Sequence, residues 1–157
     1  MNTKIDLKTI MDLHLKWLAG DPEGYMANLY MADLSRADLS GANLSGAVGA
    51  ELAIAMSCHL PEGDIIGWKK CQDGVLVKLL IPSDAKRSHG ASRKCRAGFV
   101  RVLEVIGAEV GISLYDGVTE YRVGETVRPD GWDDDRWNIC GKGIHFYITR
   151  AEAEAHN

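Results

Sequence analysis

A chain of 157 residues with 46% hydrophobic content has the material for one packed domain of ordinary size plus a small appendage, which excludes overall disorder. Its formal net charge of −4 gives no reason to expect nonspecific binding to long nucleic acid or to a membrane surface. No apolar run reaches the roughly 18–20 residues of a membrane span, and the start lacks a signal-peptide pattern, so a cytoplasmic protein is expected.

In chain order, residues 5–19 are predicted to form an amphipathic helix. Ile10, Leu13 and Trp17 recur at spacings of three and four, Leu7, Met11 and Leu18 widen the stripe, and Gly20-Asp21-Pro22-Glu23-Gly24 stops it. His14 and Trp17 share a face of this helix, which suits docking on the segment that follows. That segment repeats every five residues. Alanine stands at 27, 32, 37, 42 and 47 and leucine at 29, 34, 39 and 44, with Asp or Asn between them. Neither the helical nor the extended period keeps a spacing of five on one face; a square coil does, taking one small and one large apolar residue per side.

These residues resemble the pentapeptide-repeat family, whose consensus is A(D/N)LXX and whose fold is a right-handed quadrilateral β-helix. The resemblance implies that residues 27–47 make about one turn of that coil. Solenoid units bury their cores against neighbouring turns, and roughly three are normally needed for independent stability. One turn is too short for the DNA-mimicking rods of the family. It is expected to pack on a neighbouring domain or pair with another subunit, most simply in a two-fold homo-oligomer, since open edges invite pairing.

Residues 1–47 thus read as one unit and 48–63 as an Ala-rich connector ending at Pro61-Glu62-Gly63; 64–157 read as a compact, mainly antiparallel α+β domain. Ile65–Lys70 and Val75–Ile81 flank Asp73-Gly74, a hairpin signal. Ser83–Lys86 suggests a capped helical turn after Pro82, and residues 99–106, 118–123 and 143–148 are strand candidates. Thr149, with Glu152 three residues on, opens a short C-terminal helix over 150–156 through a capping box.

Two constellations carry candidate chemistry. Lys86, Arg87, Ser88, Arg93, Lys94 and Arg96 concentrate positive charge and hydroxyls in eleven residues of an otherwise acidic chain. Guanidinium forks, ammonium charges and hydroxyls are what phosphate oxygens require. The competing reading is a solvated loop whose cations meet Asp130 and Asp133–Asp135. The second constellation runs from Tyr121 through Trp132 and Trp137 to His145. Its tryptophans are candidates for an aromatic slot, and in the strand Ile144, Phe146 and Ile148 point one way while His145 and Tyr147 point the other. Its competing reading is core tryptophans and a hydrogen-bonded structural histidine.

Cys58, Cys71, Cys95 and Cys140 contain no Cys-x-x-Cys pair and read as reduced, mostly buried thiols; no metal and no cofactor is expected. No Walker loop, dinucleotide fingerprint, paired carboxylates or Ser/His/Asp pattern is present, so no catalytic residue is assigned. Ile81–Arg87, Arg93–Ala97 and Cys140–Phe146 resemble an uncharacterised domain that follows short pentapeptide runs in phage and prophage genes. That setting implies a non-catalytic binding protein, a sponge that sequesters a cyclic-nucleotide or cyclic ADP-ribose immune signal in the host cytoplasm. The alternatives are a protein-interaction or oligomerisation module binding a host protein, and an enzyme acting on a nucleotide or ADP-ribosyl group with His145 or Glu125 as base.

Overall fold

The computed structural model describes residues 6–34, 39, 42–57, 60–90 and 92–156; the expectations resting on Cys58, His59 and the central pentapeptides lie outside them. The alanine–leucine spacing does fold as a coil. At its corners an alanine N–H donates to the carbonyl of the preceding leucine, Ala32 to Leu29 and Ala42 to Leu39 at 2.9 Å, and Ala47 to Leu44 at 3.1 Å. The Asn positions hold the bends: Asn28 and Asn43 accept through Oδ1 from the N–H groups of Tyr30 and Ser45, two residues on. The turn closes through a parallel bridge between Asn28 and Val48, positions twenty residues apart, which is four sides of five. Leu29, Leu34 and Leu39 are each at most 2% exposed inside it. Burying each such side chain is worth about 1.5–3 kcal/mol.

Helix α1 (Leu7–Leu18) lies against this coil and ends as expected, with Gly20 at φ 77° and the Asp21 N–H returning to the Lys16 carbonyl. Its buried face is centred on Met11 and His14, with Leu7 and Ile10 packed beside them. His14 has a structural role: its Nδ1 accepts from the Ala27 N–H at 3.2 Å and its ring stacks on Trp17 at 5.4 Å. The connector contains α2 (Ala50–Ser57), whose Ala50 and Ala53 join the same core.

Residues 64–157 carry β1 (Ile65–Lys70), β2 (Leu76–Ile81), β3 (Arg87–His89), β4 (Cys95–Ala97), β5 (Val100–Ile106), β6 (Gly111–Ile112), β7 (Glu120–Tyr121), β8 (Thr126–Val127), β9 (Ile144–Phe146) and α3 (Arg150–Glu154). One antiparallel sheet has the order β1-β2-β5-β8, a second β3-β4-β9, and β6 pairs with β7. Reciprocal 2.7 Å hydrogen bonds between Trp68 and Tyr147 join the free edge of β1 to the chain leaving β9. Central β2 buries one face completely, with Val77, Leu79 and Ile81 inaccessible, while Lys78 and Leu80 on the other are partly exposed. The β1–β2 hairpin turns on Asp73 and Gly74, both at positive φ (56° and 75°), the geometry that favours an Asp-Gly pair. Gly67 is needed for packing: a Cβ there would sit 2.6 Å from the Phe146 ring and 2.8 Å from Ile81. The capping box of α3 forms as expected, Thr149 with Glu152.

Three local expectations are corrected. Residues 83–86 form a turn without a helix, since the chain reverses at once into β3. The strand expected over 118–123 shortens to β7, because the Gly124 turn redirects the chain into β8. The basic stretch is no open loop: it is the β3–β4 hairpin, paired Arg87 to Ala97 and His89 to Cys95.

Candidate functional site

Strand alternation separates the basic residues that lie together in sequence. Ser88 and Arg96 face each other across β3 and β4 and point inward, leaving Arg96 only 1% exposed. Its Nη1 donates to the carbonyls of Lys142 (2.7 Å) and Asp133 (3.0 Å), and its Nη2 to the Asp135 carbonyl (2.6 Å) and Ser88 Oγ (3.3 Å). Trp132 stacks beside the guanidinium at 5.2 Å and donates from Nε1 to Asp134. Arg96 is therefore the organiser of the 132–142 loop, and burial lowers its pKa although Asp133 and Asp135 oppose the shift. Arg87 gathers the carbonyls of Pro61, Gly63, Ile81 and Pro82. Lys86 remains exposed and reaches Asp134 at 3.5 Å.

Six of the residues expected to bind ligand have internal partners or are buried in the structure. Arg87, Ser88 and Arg96 are committed to internal acceptors or donors. Trp137 is 8% exposed and packed in the coil's core cluster, and Trp132 covers Arg96 in place of forming a slot with it. Tyr121 is 1% exposed in the main core, where burial raises its phenol pKa; it touches only the smaller of two adjoining cavities.

A cleft of about 340 Å³ opens where the two sheets, the 113–117 loop and the end of α3 converge. It is lined by Lys69, Lys70, Lys94, Leu114, Tyr115, His145, Tyr147 and His156. Each position has a local cause. Lys69 and Lys70 end β1 on opposite faces, and Lys70 Nζ caps α3 by donating to the carbonyls of His156 (2.8 Å) and Glu154 (3.2 Å). Arg93, expected to bind phosphate, instead forks onto Glu152 at 2.5 and 3.3 Å, fixing the Lys94 segment against α3. Tyr147 Oη lies 3.1 Å from His156 Nδ1. Tyr115 covers His145 with ring centroids 5.5 Å apart. Of the ten residues expected to bind ligand, Lys94 and His145 line this cleft.

The electrostatics are one-sided. Lys69 is 7% exposed, its Nζ 3.5 Å from the His145 carbonyl and 5.5 Å from the Tyr121 ring centre. Burial pulls its pKa down, and Lys94 adds to this while Cys71 and Asp116 oppose it. Among the described residues, neither Lys69 nor Lys94 has a carboxylate within ion-pair distance. Burial, then Lys94, Lys69 and Arg96, push the His145 imidazole down to about 4, so it is neutral at pH 7. Burial likewise raises the thiols of Cys71 to about 11 and Cys95 to about 12, so both stay protonated and unreactive; Cys140 is exposed.

His145 gives a pH prediction. Between pH 6.5 and about 4 the unfolded chain protonates this ring while the folded chain does not, so stability is lost as pH falls through that window and fully present above it. At about 1.4 kcal/mol per unit the loss reaches about 3 kcal/mol. Urea unfolding at pH 7 and pH 5 checks this: His145→Phe is expected to flatten the pH dependence of the native chain. His156, lowered by burial and by Lys94, Lys69 and Lys70, leaves a residual slope of the same sign.

A second, smaller cavity of about 90 Å³ shares Lys69, Tyr115 and His145 with the cleft and extends past Ser113, Asp116, Thr119, Asp130 and Lys142. Burial pushes the Asp116 carboxyl up, but hydrogen bonds from Thr119, Val118 and Ser113 outweigh it and bring the pKa to about 2. Asp116 is therefore a carboxylate throughout the neutral range. The described residues hold no cluster of three or more His, Cys, Asp or Glu suited to a metal ion, and no helix long and apolar enough to cross a membrane.

Compared with known protein families, residues 56–153, more than half of the chain, match a family of unknown function (DUF5758), and residues 27–51 match pentapeptide repeats (8 copies). Neither a curated protein nor a solved structure matches.

Proposed function

The chain belongs to the DUF5758 family, a premise that brings no activity with it, and we propose from its own residues that it binds a small phosphate-bearing molecule of nucleotide type in the Lys69–Lys70–Lys94 cleft. One observation carries this reading: Lys69, Lys70 and Lys94 all line the cleft, and no carboxylate is among its lining residues. Partly desolvated cations without a counter-ion favour an anionic guest. The rings of Tyr115, Tyr147, His145 and His156 offer flat faces to a base. The volume falls at the lower end of the roughly 300–1,000 Å³ of small-molecule sites. In this proposal the ligand is held without chemical change, as a sponge for a nucleotide immune signal of cyclic type would hold it.

Native mass spectrometry of the purified protein, with heat release and identification of what leaves, tests the proposal together with titration by a nucleotide panel. Lys94→Glu is expected to weaken binding by at least about tenfold, whereas Lys86→Glu on the exposed hairpin leaves it within about twofold. No bound or titratable nucleotide would sink the reading, and a chemically altered one would move it to the enzyme class.

A second reading has its own observation. Tyr25, Met26, Tyr30, Met31, Val48 and Leu52 are exposed apolar residues around the repeat coil, by 41–70% of their surface. Exposed apolar side chains clustered in sequence favour association, and self-association through the coil is the form proposed here. Light scattering across a concentration series distinguishes a monomer from an oligomer.

A further inference from the structure

The loop between β6 and β7 puts apolar side chains into water and then fixes them there. Leu114 is 45%, Tyr115 67% and Val118 75% exposed. Such side chains add little to the core, yet the backbone that displays them is held throughout. Ser113 bridges to Cys71, just after β1, and its N–H donates to the Thr119 carbonyl at 2.9 Å. The Gly117 N–H returns to the Ser113 carbonyl at 3.0 Å, with Gly117 at φ 71°. Asp116 Oδ1 accepts from the N–H groups of Val118 (3.1 Å) and Thr119 (3.0 Å), its Oδ2 accepts from the Thr119 hydroxyl, and the Tyr115 N–H donates to Ser113 Oγ at 3.2 Å. Of the residues lining the cleft, Leu114 and Tyr115 are the two exposed ones. The other rings there are already engaged. Tyr147 and His156 face each other with ring centroids 5.5 Å apart, and His145 is 6% exposed against Tyr115. The Tyr115 ring is inclined at 57° to that of His145, and most of its surface stays open.

We propose that Tyr115 is the stacking residue of this cleft, and that it selects a phosphate ester carrying an aromatic base over a bare sugar phosphate. This rests on the proposed binding function and adds the part of the ligand that is discriminated. Stacking a base on an aromatic side chain raises affinity by roughly five- to a hundredfold. Tyrosine suits the task because its ring is rigid and only two torsions need ordering. The hydrogen bonds of the 113–119 loop fix the backbone beforehand, so less of the gain is lost to ordering on binding. Leu114, the preceding residue and also a lining one, extends the apolar surface. Every base has a flat face, so this contact separates ligands with a base from those without one more sharply than it separates the bases. Tyr115 is thus a specificity residue, and the lysines supply the attraction that all phosphate esters share.

The test compares adenosine monophosphate with ribose 5-phosphate by calorimetry at pH 7.5, two probes that share the sugar and the phosphate and differ in the base. The native chain is expected to bind the nucleotide at least about fivefold tighter. In Tyr115→Ala that preference should fall to within about twofold, through loss of nucleotide affinity and not through a change for ribose 5-phosphate. Tyr115→Phe, which keeps the ring and drops the hydroxyl, should restore it. Val118→Ser, on the same loop but not among the lining residues, should leave both affinities within about twofold. Nucleotide binding no tighter than ribose 5-phosphate in the native chain overturns the inference and leaves the anion site standing; this arm needs no substitution. A preference kept in Tyr115→Ala, or not restored in Tyr115→Phe, also overturns it. Failure of both probes to bind overturns the anion site itself and the inference with it.

Discussion

Replacing Arg96 by methionine is expected to cost the fold about 3–5 kcal/mol, a large share of the roughly 5–15 kcal/mol that holds a domain together. The guanidinium is 1% exposed and satisfies the carbonyls of Asp133, Asp135 and Lys142 together with Ser88 Oγ. A thioether of similar length fills the space and leaves those acceptors buried without donors. Arg96→Lys is expected to recover little, because one ammonium on a flexible stem cannot span acceptors reached by two separate nitrogens of a planar fork. Urea unfolding of both variants checks this, with Glu120→Gln as a control. That pair, Glu120 and Arg122 at 2.7 Å, is half-exposed on both sides and should shift stability by less than about 1 kcal/mol. A cost below about 1 kcal/mol for Arg96→Lys would show that the residue does not organise the loop.

That result also bears on how charge is read from a sequence. Lys86 to Arg96 is the most basic stretch of the chain, yet its arginines serve three separate structural ends: Arg87 collects backbone carbonyls, Arg93 clamps α3 through Glu152, and Arg96 holds the 132–142 loop. Density along a chain becomes density in space only where the backbone keeps side chains on one side, and a two-residue period alternates them. The cleft illustrates the converse. Lys69 and Lys70 look like the solvated end of a strand, Lys94 like part of the basic loop, and Tyr115, Tyr147 and His156 like isolated polar aromatics. They meet because the β1 edge accepts Tyr147 and the α3 terminus returns to Lys70, contacts between residues some eighty positions apart. Features with local causes were legible: the coil from its alanines and leucines, the hairpin from Asp73-Gly74, the cap from Thr149 and Glu152. His145 was legible as a candidate because its strand neighbours Ile144 and Phe146 are apolar and it is not. What remained hidden was that this residue lines the cleft beside Lys69 and Lys94.

Trp137→Ala is expected to detach the coil from the domain without unfolding the domain. Every other buried member of the coil's core cluster, Met11, Ala27, Leu29, Leu34, Leu39, Ala50 and Ala53, comes from α1, the repeat or α2. Trp137 comes from the loop that Arg96 holds. A solenoid turn that cannot bury its core against neighbouring turns needs another partner, and the indole supplies part of that apolar surface. Truncating a buried tryptophan typically costs about 3–5 kcal/mol, more than one coil turn with a twelve-residue helix could be expected to spare. The core of β2 and β5 shares none of these side chains, so the loss should be local. Hydrogen exchange read by mass spectrometry separates the outcomes. Faster exchange at residues 27–34 and 48–53, with β2 and β5 still protected, is the expected pattern. Unchanged protection in the coil would show that Trp137 is not its anchor, and equal loss in both regions would show one cooperative unit. The expected pattern carries a consequence for the cleft. Lys69, Lys94 and His145 lie wholly on the domain side, so binding of the phosphate-bearing ligand should persist in Trp137→Ala, while any self-association through the coil should not.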